Sequence, residues 1–155
     1  MRGTRGFSLV EILVVLAILG VLSSLALPFS EMTAKRARES DLRIALREVR
    51  LAIDAYKRAY DEGRIAPRPG ASGYPRSLDE LVEGAVDAKS PGGARIHFLR
   101  RIPADPMTRG DRAAPRWGLR SYASPASDPQ PGDDVYDIFS ASDRVGINGL
   151  PYRQW

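Results

Sequence analysis

From Phe7 to Phe29 the chain is almost unbroken apolar sequence, interrupted by a single charged residue, Glu11. At about 1.5 Å of rise per residue, a helix of this length reaches across the hydrocarbon core of a bilayer. A charge there costs roughly 2.5 to 3.5 kcal/mol on insertion scales, so it indicates a function and requires a partner. Arg2 and Arg5 precede the run, and the positive-inside bias predicts a cytoplasmic location for this end.

The residues Gly6-Phe7-Ser8-Leu9-Val10-Glu11 resemble the N-terminal signature of type IV pilins and type II secretion pseudopilins. In that family a membrane prepilin peptidase cuts between Gly and Phe and methylates the new amine. The resemblance implies a leader at residues 1–6, cleavage between Gly6 and Phe7, and N-methylation of Phe7. It also implies that Glu11 serves filament assembly and register.

Physical chemistry supports this interpretation of Glu11. Gly6 has no side chain to obstruct extended binding in a protease cleft. Removal of the leader creates an ammonium group at Phe7, four positions before Glu11. A buried ion is tolerated when it is paired and penalised when it is alone. We therefore expect the Glu11 carboxylate of one subunit to meet the Phe7 amine of its neighbour.

Two other interpretations of the apolar run remain open. It could be the plain anchor of a bitopic protein that is never cut. It could also be a secretory signal peptide, with an apolar region from Ile12 to Leu22 and a small-x-small site at Ser24-Leu25-Ala26. In that case the exported protein would begin at Leu27. The intact mass of the mature chain discriminates among the three.

The sequence after the apolar run predicts that the helix continues as an amphipathic half over residues 30–60. Apolar side chains recur at spacings of four and three on one face: Leu42, Leu46, Val49, Ile53, Tyr56 and Tyr60. The opposite face is charged, with acid-before-base pairs predicted at Glu39 and Arg43 and at Asp54 and Arg58. At the join, Pro28 lacks a backbone donor and predicts a kink or a local unwinding.

Residues 61–155 have the composition of a loop-rich globular cap, since eleven of the twelve prolines and eleven of the fourteen glycines lie there. Ser77-Leu78-Asp79-Glu80 has the spacing of a capping box and predicts a short helix from Leu78 to Glu83, ended by Gly84. Two antiparallel strands are predicted at Leu119 to Ala123 and at Val135 to Ser140. The predicted class is α+β, a pilin-like fold in which a long N-terminal helix packs against a small antiparallel sheet.

Parts of the cap resemble the major pseudopilin of type II secretion: Tyr74-Pro75, residues 102–106 and residues 135–140. That family uses calcium near the C-terminus, so the resemblance implies a possible calcium site. The chain offers hard oxygen ligands there, without the spacing of an EF-hand: Asp133, Asp134, Ser140, Ser142, Asp143 and Asn148. There is no cysteine for a disulfide, and packing of Tyr152 and Trp155 on the sheet is an alternative clamp.

Signals for catalysis and for nucleic-acid binding are weak. The chain has one histidine, His97, and no cysteine, nucleophile elbow or phosphate-binding loop, so we predict that it is not an enzyme. Arg109-Gly110-Asp111 is predicted to be a solvated turn. The formal net charge of +4 falls to +2 once Arg2 and Arg5 leave, which makes nucleic acid an unlikely partner.

The resulting hypothesis is a type II secretion pseudopilin, inserted once in the bacterial inner membrane with its cap in the periplasm and polymerised into a periplasmic filament. The partners implied are the prepilin peptidase, other pseudopilin subunits, and the inner-membrane assembly platform with its ATPase. A type IV pilus pilin for adhesion, motility or DNA uptake is the alternative within the class. A membrane-anchored periplasmic binding protein that does not polymerise is the alternative outside it.

Overall fold

The computed structural model describes residues 7–108 and 117–155, and for residues 24–29 it describes the backbone alone. Helix α1 runs over Leu9–Asp61 and helix α2 over Leu78–Glu83. Four short strands follow, β1 (Ala85–Val86), β2 (Arg95–Ile96), β3 (Gly118–Arg120) and β4 (Asp137–Phe139), and a 3₁₀ helix covers Tyr152–Gln154. The structure confirms the predicted α+β, pilin-like class, since it has a long N-terminal helix, small antiparallel sheets and a loop-rich cap.

Within residues 38–155, the compact unit that contains the cap, the core forms on one face of α1. The predicted stripe is confirmed: five of its six members are at most 3% exposed and the sixth, Tyr60, is partly buried, the five being Leu42, Leu46, Val49, Ile53 and Tyr56. Small residues at Ala45, Ala52 and Ala59 widen the buried face. The cap covers it with apolar side chains that include Leu81, Leu99, Trp117, Val135 and Ile138.

The C-terminal end of α1 and the N-terminal end of α2 follow simple backbone rules. Helix α1 ends at Asp61, and Gly63 adopts a left-handed φ of 69° while its amide bonds to the Tyr60 carbonyl. Helix α2 has the predicted bounds, and the Ser77 hydroxyl accepts from the Glu80 amide at 3.4 Å. The Glu80 carboxylate, however, accepts from the Arg76 amide at 2.7 Å. A capping box would instead use the amide of the N-cap residue, Ser77.

The strands pair as two separate two-stranded antiparallel ladders, β1 with β2 and β3 with β4. The first ladder was not predicted. The second is shorter than predicted because its outer residues bond elsewhere. The Ser121 amide donates to the main-chain carbonyl of Gln130 on the other side of the connecting loop. The Tyr122 amide donates to the Asp134 carboxylate at 2.8 Å. At the other end, the Ser140 hydroxyl bonds to Asp105.

The predicted charged face of α1 needs two corrections. Glu39 is 3% exposed and belongs to the interior of the cap, although the sequence pattern placed it in a surface ion pair with Arg43. Its carboxylate lies 3.9 Å from the Arg43 guanidinium and makes shorter bonds to the C-terminal segment. Among the described residues, Asp54 and Arg58 form no ion pair, whereas Lys57 and Asp61 do.

Candidate functional site

The first turns of α1 place Phe7 and Glu11 on the same side of the helix. The helix begins at Leu9, its first turn contains Glu11, and the Ile12 amide donates to the Ser8 carbonyl at 3.2 Å. A carboxylate in a first turn is stabilised by the positive end of the helix dipole. Phe7 and Glu11 line one shallow groove of about 230 Å³, together with Ile12, Val15 and Leu16.

The apolar side chains around this groove are uncovered on every side of the helix. Twelve of them between Phe7 and Leu22 are each at least 50% exposed, from Val15 at 50% to Phe7 at 79%. A helix that is apolar all round requires burial, either in lipid or among other helices. Only Glu11 carries a charge between residues 7 and 23. In the described part of the chain, no helix combines the length and apolar character needed to cross a membrane.

The other N-terminal predictions, which concern the leader and Pro28, are not tested by the described residues. Gly6 and the rest of the leader lie outside the described residues, so cleavage and methylation stay predictions. Helix α1 is continuous through position 28, while the side chain of Pro28 lies outside the description. The predicted kink is therefore also still a prediction, and so is the division at residue 29. The boundary between the two compact units falls after Ala37.

The C-terminal segment is held against the amphipathic half of α1 by Glu39. The Tyr152 hydroxyl donates to the Glu39 carboxylate at 2.9 Å, and the Ile147 amide donates to the same oxygen at 2.8 Å. Tyr152 is 1% exposed. Burial, followed by the hydrogen bond to Glu39, raises the pKa of Tyr152 to about 12. The buried carboxylate therefore has two protein donors, as a buried ion requires.

A second tie runs through Arg50. Its guanidinium donates to the Asp137 carboxylate at 2.7 Å, to the Ile138 carbonyl at 3.0 Å and to the Trp155 main-chain oxygen at 2.7 Å. Arg43 lies 4.5 Å above the Trp155 ring, which itself packs edge-on against Tyr152 at 5.2 Å. Tyr152 and Trp155 form the aromatic clamp that the sequence offered as an alternative. Their segment contacts α1 as well as β4.

The candidate calcium ligands make several different contacts in the cap. Asp134 accepts from the Ser72 hydroxyl and the Tyr122 amide, and Asn148 accepts from the Leu150 amide. Asp133 and Asp143 are exposed. Across the described residues, no three acidic or histidine side chains lie close enough to hold a metal. Calcium also binds hydroxyl, amide and main-chain oxygens, so the calcium site stays a prediction and we derive no role for the ion.

Asp105 organises the loop where Ser140 and Ser142 lie, a role that the sequence did not reveal. It is 2% exposed and accepts from the Met107 amide at 2.8 Å and from the Ser140 hydroxyl at 2.7 Å. The Arg144 guanidinium donates to the Met107 carbonyl and contacts the Ser142 hydroxyl at 3.5 Å. Residues 102–106 were singled out only by resemblance, and the long-range partners of Asp105 were not predicted.

Of the two other motifs that the sequence singled out, the structure describes only His97. His97 is exposed, and its Nδ1 lies 2.9 Å from the Val82 carbonyl oxygen, so it is a surface residue of the β2 end. Residues 109–111, the Arg-Gly-Asp tripeptide, lie outside the described residues.

Comparison with known proteins agrees with the N-terminal geometry. Residues 1–27 match the family model described as the prokaryotic N-terminal methylation motif. The chain is 32% identical to type II secretion system core protein G of Klebsiella pneumoniae over 160 aligned residues, which cover 97% of this chain and 90% of the relative. It is 31% identical to the protein of the same name from Aeromonas hydrophila over 109 residues, which cover 68% of each chain. No solved structure matches the chain significantly.

Proposed function

We propose, from the premise that the chain belongs to the family of type II secretion system core protein G, that it works as a pseudopilin whose N-terminal helix is the assembly element. Both matched relatives carry that name, and the methylation motif covers the same N-terminal residues. These similarities favour a secretion pseudopilus over a type IV pilus and over a binding protein that does not polymerise.

The observation that carries the proposal is the exposure of the N-terminal helix on all sides. Its apolar side chains are exposed among the described residues and would be covered first by lipid and then by the same helices of neighbouring subunits. Exchange of lipid contacts for helix contacts costs little, because both surroundings are apolar. Glu11 is the exception, since its charge requires a specific partner in either environment.

In this scheme a prepilin peptidase removes residues 1–6, and the new amine of Phe7 becomes the cation that Glu11 of a neighbour requires. The subunit is anchored in the inner membrane with residues 38–155 in the periplasm, and it has a structural role without catalysis. Assembly would be driven by the membrane platform and ATPase of the same secretion system. The filament then acts on exported proteins in the periplasm.

The intact mass and N-terminal peptide of the chain recovered from native membranes test the proposal. We expect a chain that begins at N-methylated Phe7. Gly6→Leu should retain Met1, whereas the matched variant Gly3→Leu should be cut normally, since its substitution lies away from the scissile bond. A wild-type chain that begins at Leu27 or keeps Met1 would contradict the proposal.

A further inference from the structure

The solvent face of α1 in the cap carries a ridge of two large aliphatic residues, Ile44 and Leu51. They are seven positions apart, hence two turns along one face, and are 62% and 57% exposed. Leu51 separates two grooves, one of about 350 Å³ next to Trp155 and one of about 750 Å³ next to Phe98. Large exposed aliphatic side chains that border grooves are candidates for an interaction surface.

Cations surround the ridge. Arg47 lines the first groove, Arg100 and Arg101 line the second, and all three are exposed. None of the three forms an ion pair with another residue of the described ranges 7–108 and 117–155. The acids on the same surface are Glu48 and Asp54, so arginines outnumber them. The ridge therefore fits a partner that is apolar at its centre and acidic around it.

The same chain carries a surface of the opposite kind, formed by three tyrosines and an acidic loop. Tyr122 is 62% exposed and lies 5.7 Å from Tyr74 and 5.5 Å from Tyr136 between ring centres. Asp128 and Asp133 are exposed in the adjoining loop, and residues 121–143 contain no lysine or arginine. A cleft of about 700 Å³, lined by Tyr74, Tyr122 and Asp133, opens at this surface, and Arg68 and Arg76 also line it. Lys57 and Arg120 lie against the rings of Tyr74 and Tyr136. Arg68, Lys57 and Arg120 are each paired with a carboxylate of the cap or of α1.

We propose that the ridge of one subunit docks on the tyrosine surface of a second copy of this chain. Apolar side chains would enter the cleft, where tyrosines are effective anchors, and the arginines would face the acidic loop. The two surfaces share no residue, so the contact is heterologous and repeats from subunit to subunit as a filament requires. This inference rests on the proposed function and adds the cap contact that accompanies helix packing.

Cysteine crosslinking in native membranes tests the contact, because the chain has no cysteine of its own. Leu51→Cys and Tyr122→Cys subunits with different tags are produced together and treated with a short bismaleimide, whose reach tolerates a displacement of about one residue. We expect the mixed dimer as the dominant product and loss of that product when Val86→Cys, also an exposed site, replaces Tyr122→Cys. Dominant Leu51→Cys homodimers would indicate a symmetric contact and overturn the proposal.

A third variant separates this inference from the proposed function. Leu16→Cys lies in the N-terminal helix, where polymerisation brings neighbouring helices together, so it should form homodimers. If those form while the mixed cap dimer does not, the docking surface is wrong and the pseudopilin function stands. If the Leu16→Cys homodimers are also missing, polymerisation itself is contradicted and both proposals fall.

Discussion

The hydroxyl of Tyr152 donates a hydrogen bond to the carboxylate of Glu39 at 2.9 Å, which joins the C-terminal segment to α1 across 113 positions. Both residues are almost fully buried, at 1% and 3% exposure. The carboxylate also accepts from the Ile147 amide. Glu39 is thus one of the helix side chains that fix the tail of the cap, in a chain that has no disulfide to do so.

Glu39→Ala is expected to destabilise the cap. The substitution leaves the Tyr152 hydroxyl and the Ile147 amide without their acceptor, and each unsatisfied buried group costs roughly 1–3 kcal/mol. Urea unfolding of the detergent-solubilised chain should show a lower midpoint. The matched variant Glu48→Ala removes an exposed carboxylate from the same helix and should leave the midpoint unchanged. Equal midpoints for the two variants would contradict the role given to Glu39.

Alkaline pH should weaken the same tie. Burial and the bond to Glu39 raise the pKa of Tyr152 from 10.0 to about 12, so the folded state retains a proton that the unfolded chain loses. The stability that this raised pKa contributes is complete below pH 10 and is lost as the pH rises toward 12. Tyr56 contributes in the same direction, since burial also raises its pKa to about 12.

The melting temperature of the wild-type chain should therefore fall between pH 10 and pH 12, and that of Tyr152→Phe should fall less steeply from a lower starting value. Tyr122→Phe is the control, because it removes the hydroxyl of a tyrosine that is 62% exposed. A slope for Tyr152→Phe that equals the wild-type slope would show that Tyr152 does not hold its proton on folding.

Gly118 tests the packing of the second ladder. It pairs with Phe139 across β3 and β4, and a Cβ added at this position would overlap the Phe139 ring. Overpacking of this kind costs about 1–3 kcal/mol, so Gly118→Ala should lower the unfolding midpoint. Gly92 has no heavy atom within 4 Å of such a Cβ, and Gly92→Ala should leave the midpoint unchanged or slightly raised. No difference between the two alanine variants would contradict the close ring contact.

Local and periodic features were the ones that the sequence predicted well. The spacing of Leu42, Leu46 and Val49 is a property of one helix, so the buried stripe could be recognised without the cap. The helix from Leu78 to Glu83 depended on a hydroxyl and a carboxylate three residues apart, and its bounds were correct. Such signals need no knowledge of what lies across the fold.

Long-range polar contacts could not be predicted. Glu39 has the spacing of a surface ion pair with Arg43, and only the position of residues 147 and 152 makes it a buried acceptor. The buried carboxylate of Asp105 likewise accepts from the hydroxyl of Ser140, which lies 35 positions away in the sequence. Residues 121–123 have strand composition, yet Ser121 and Tyr122 bond across a loop instead. In each case a tertiary partner decided between conformations that the local sequence permits.

Chelation tests how the C-terminal segment is held. The tail is tied by Glu39 and Arg50, and Arg144 contributes a cation to its loop, so we expect EDTA and added calcium to leave the melting temperature unchanged. Trp155→Ala should lower it, since Arg43 and Tyr152 lose the ring that they contact. A clear rise in melting temperature with calcium, at unchanged ionic strength, would instead establish a metal site among the predicted oxygen ligands.

Glu11→Ala should separate insertion from assembly. Removal of a charge makes membrane insertion easier, and cleavage after Gly6 does not depend on this side chain, so the processed chain should accumulate in the membrane. Filament incorporation should be lost, because deletion of one partner of a buried ion pair costs roughly 3–5 kcal/mol and leaves the Phe7 amine of a neighbour uncompensated. Glu31→Ala, an exposed carboxylate of the same helix, should assemble normally. The N-terminal mass reports processing and the sheared filament fraction reports assembly; a processed Glu11→Ala chain that assembles as well as Glu31→Ala would show that register does not depend on this carboxylate.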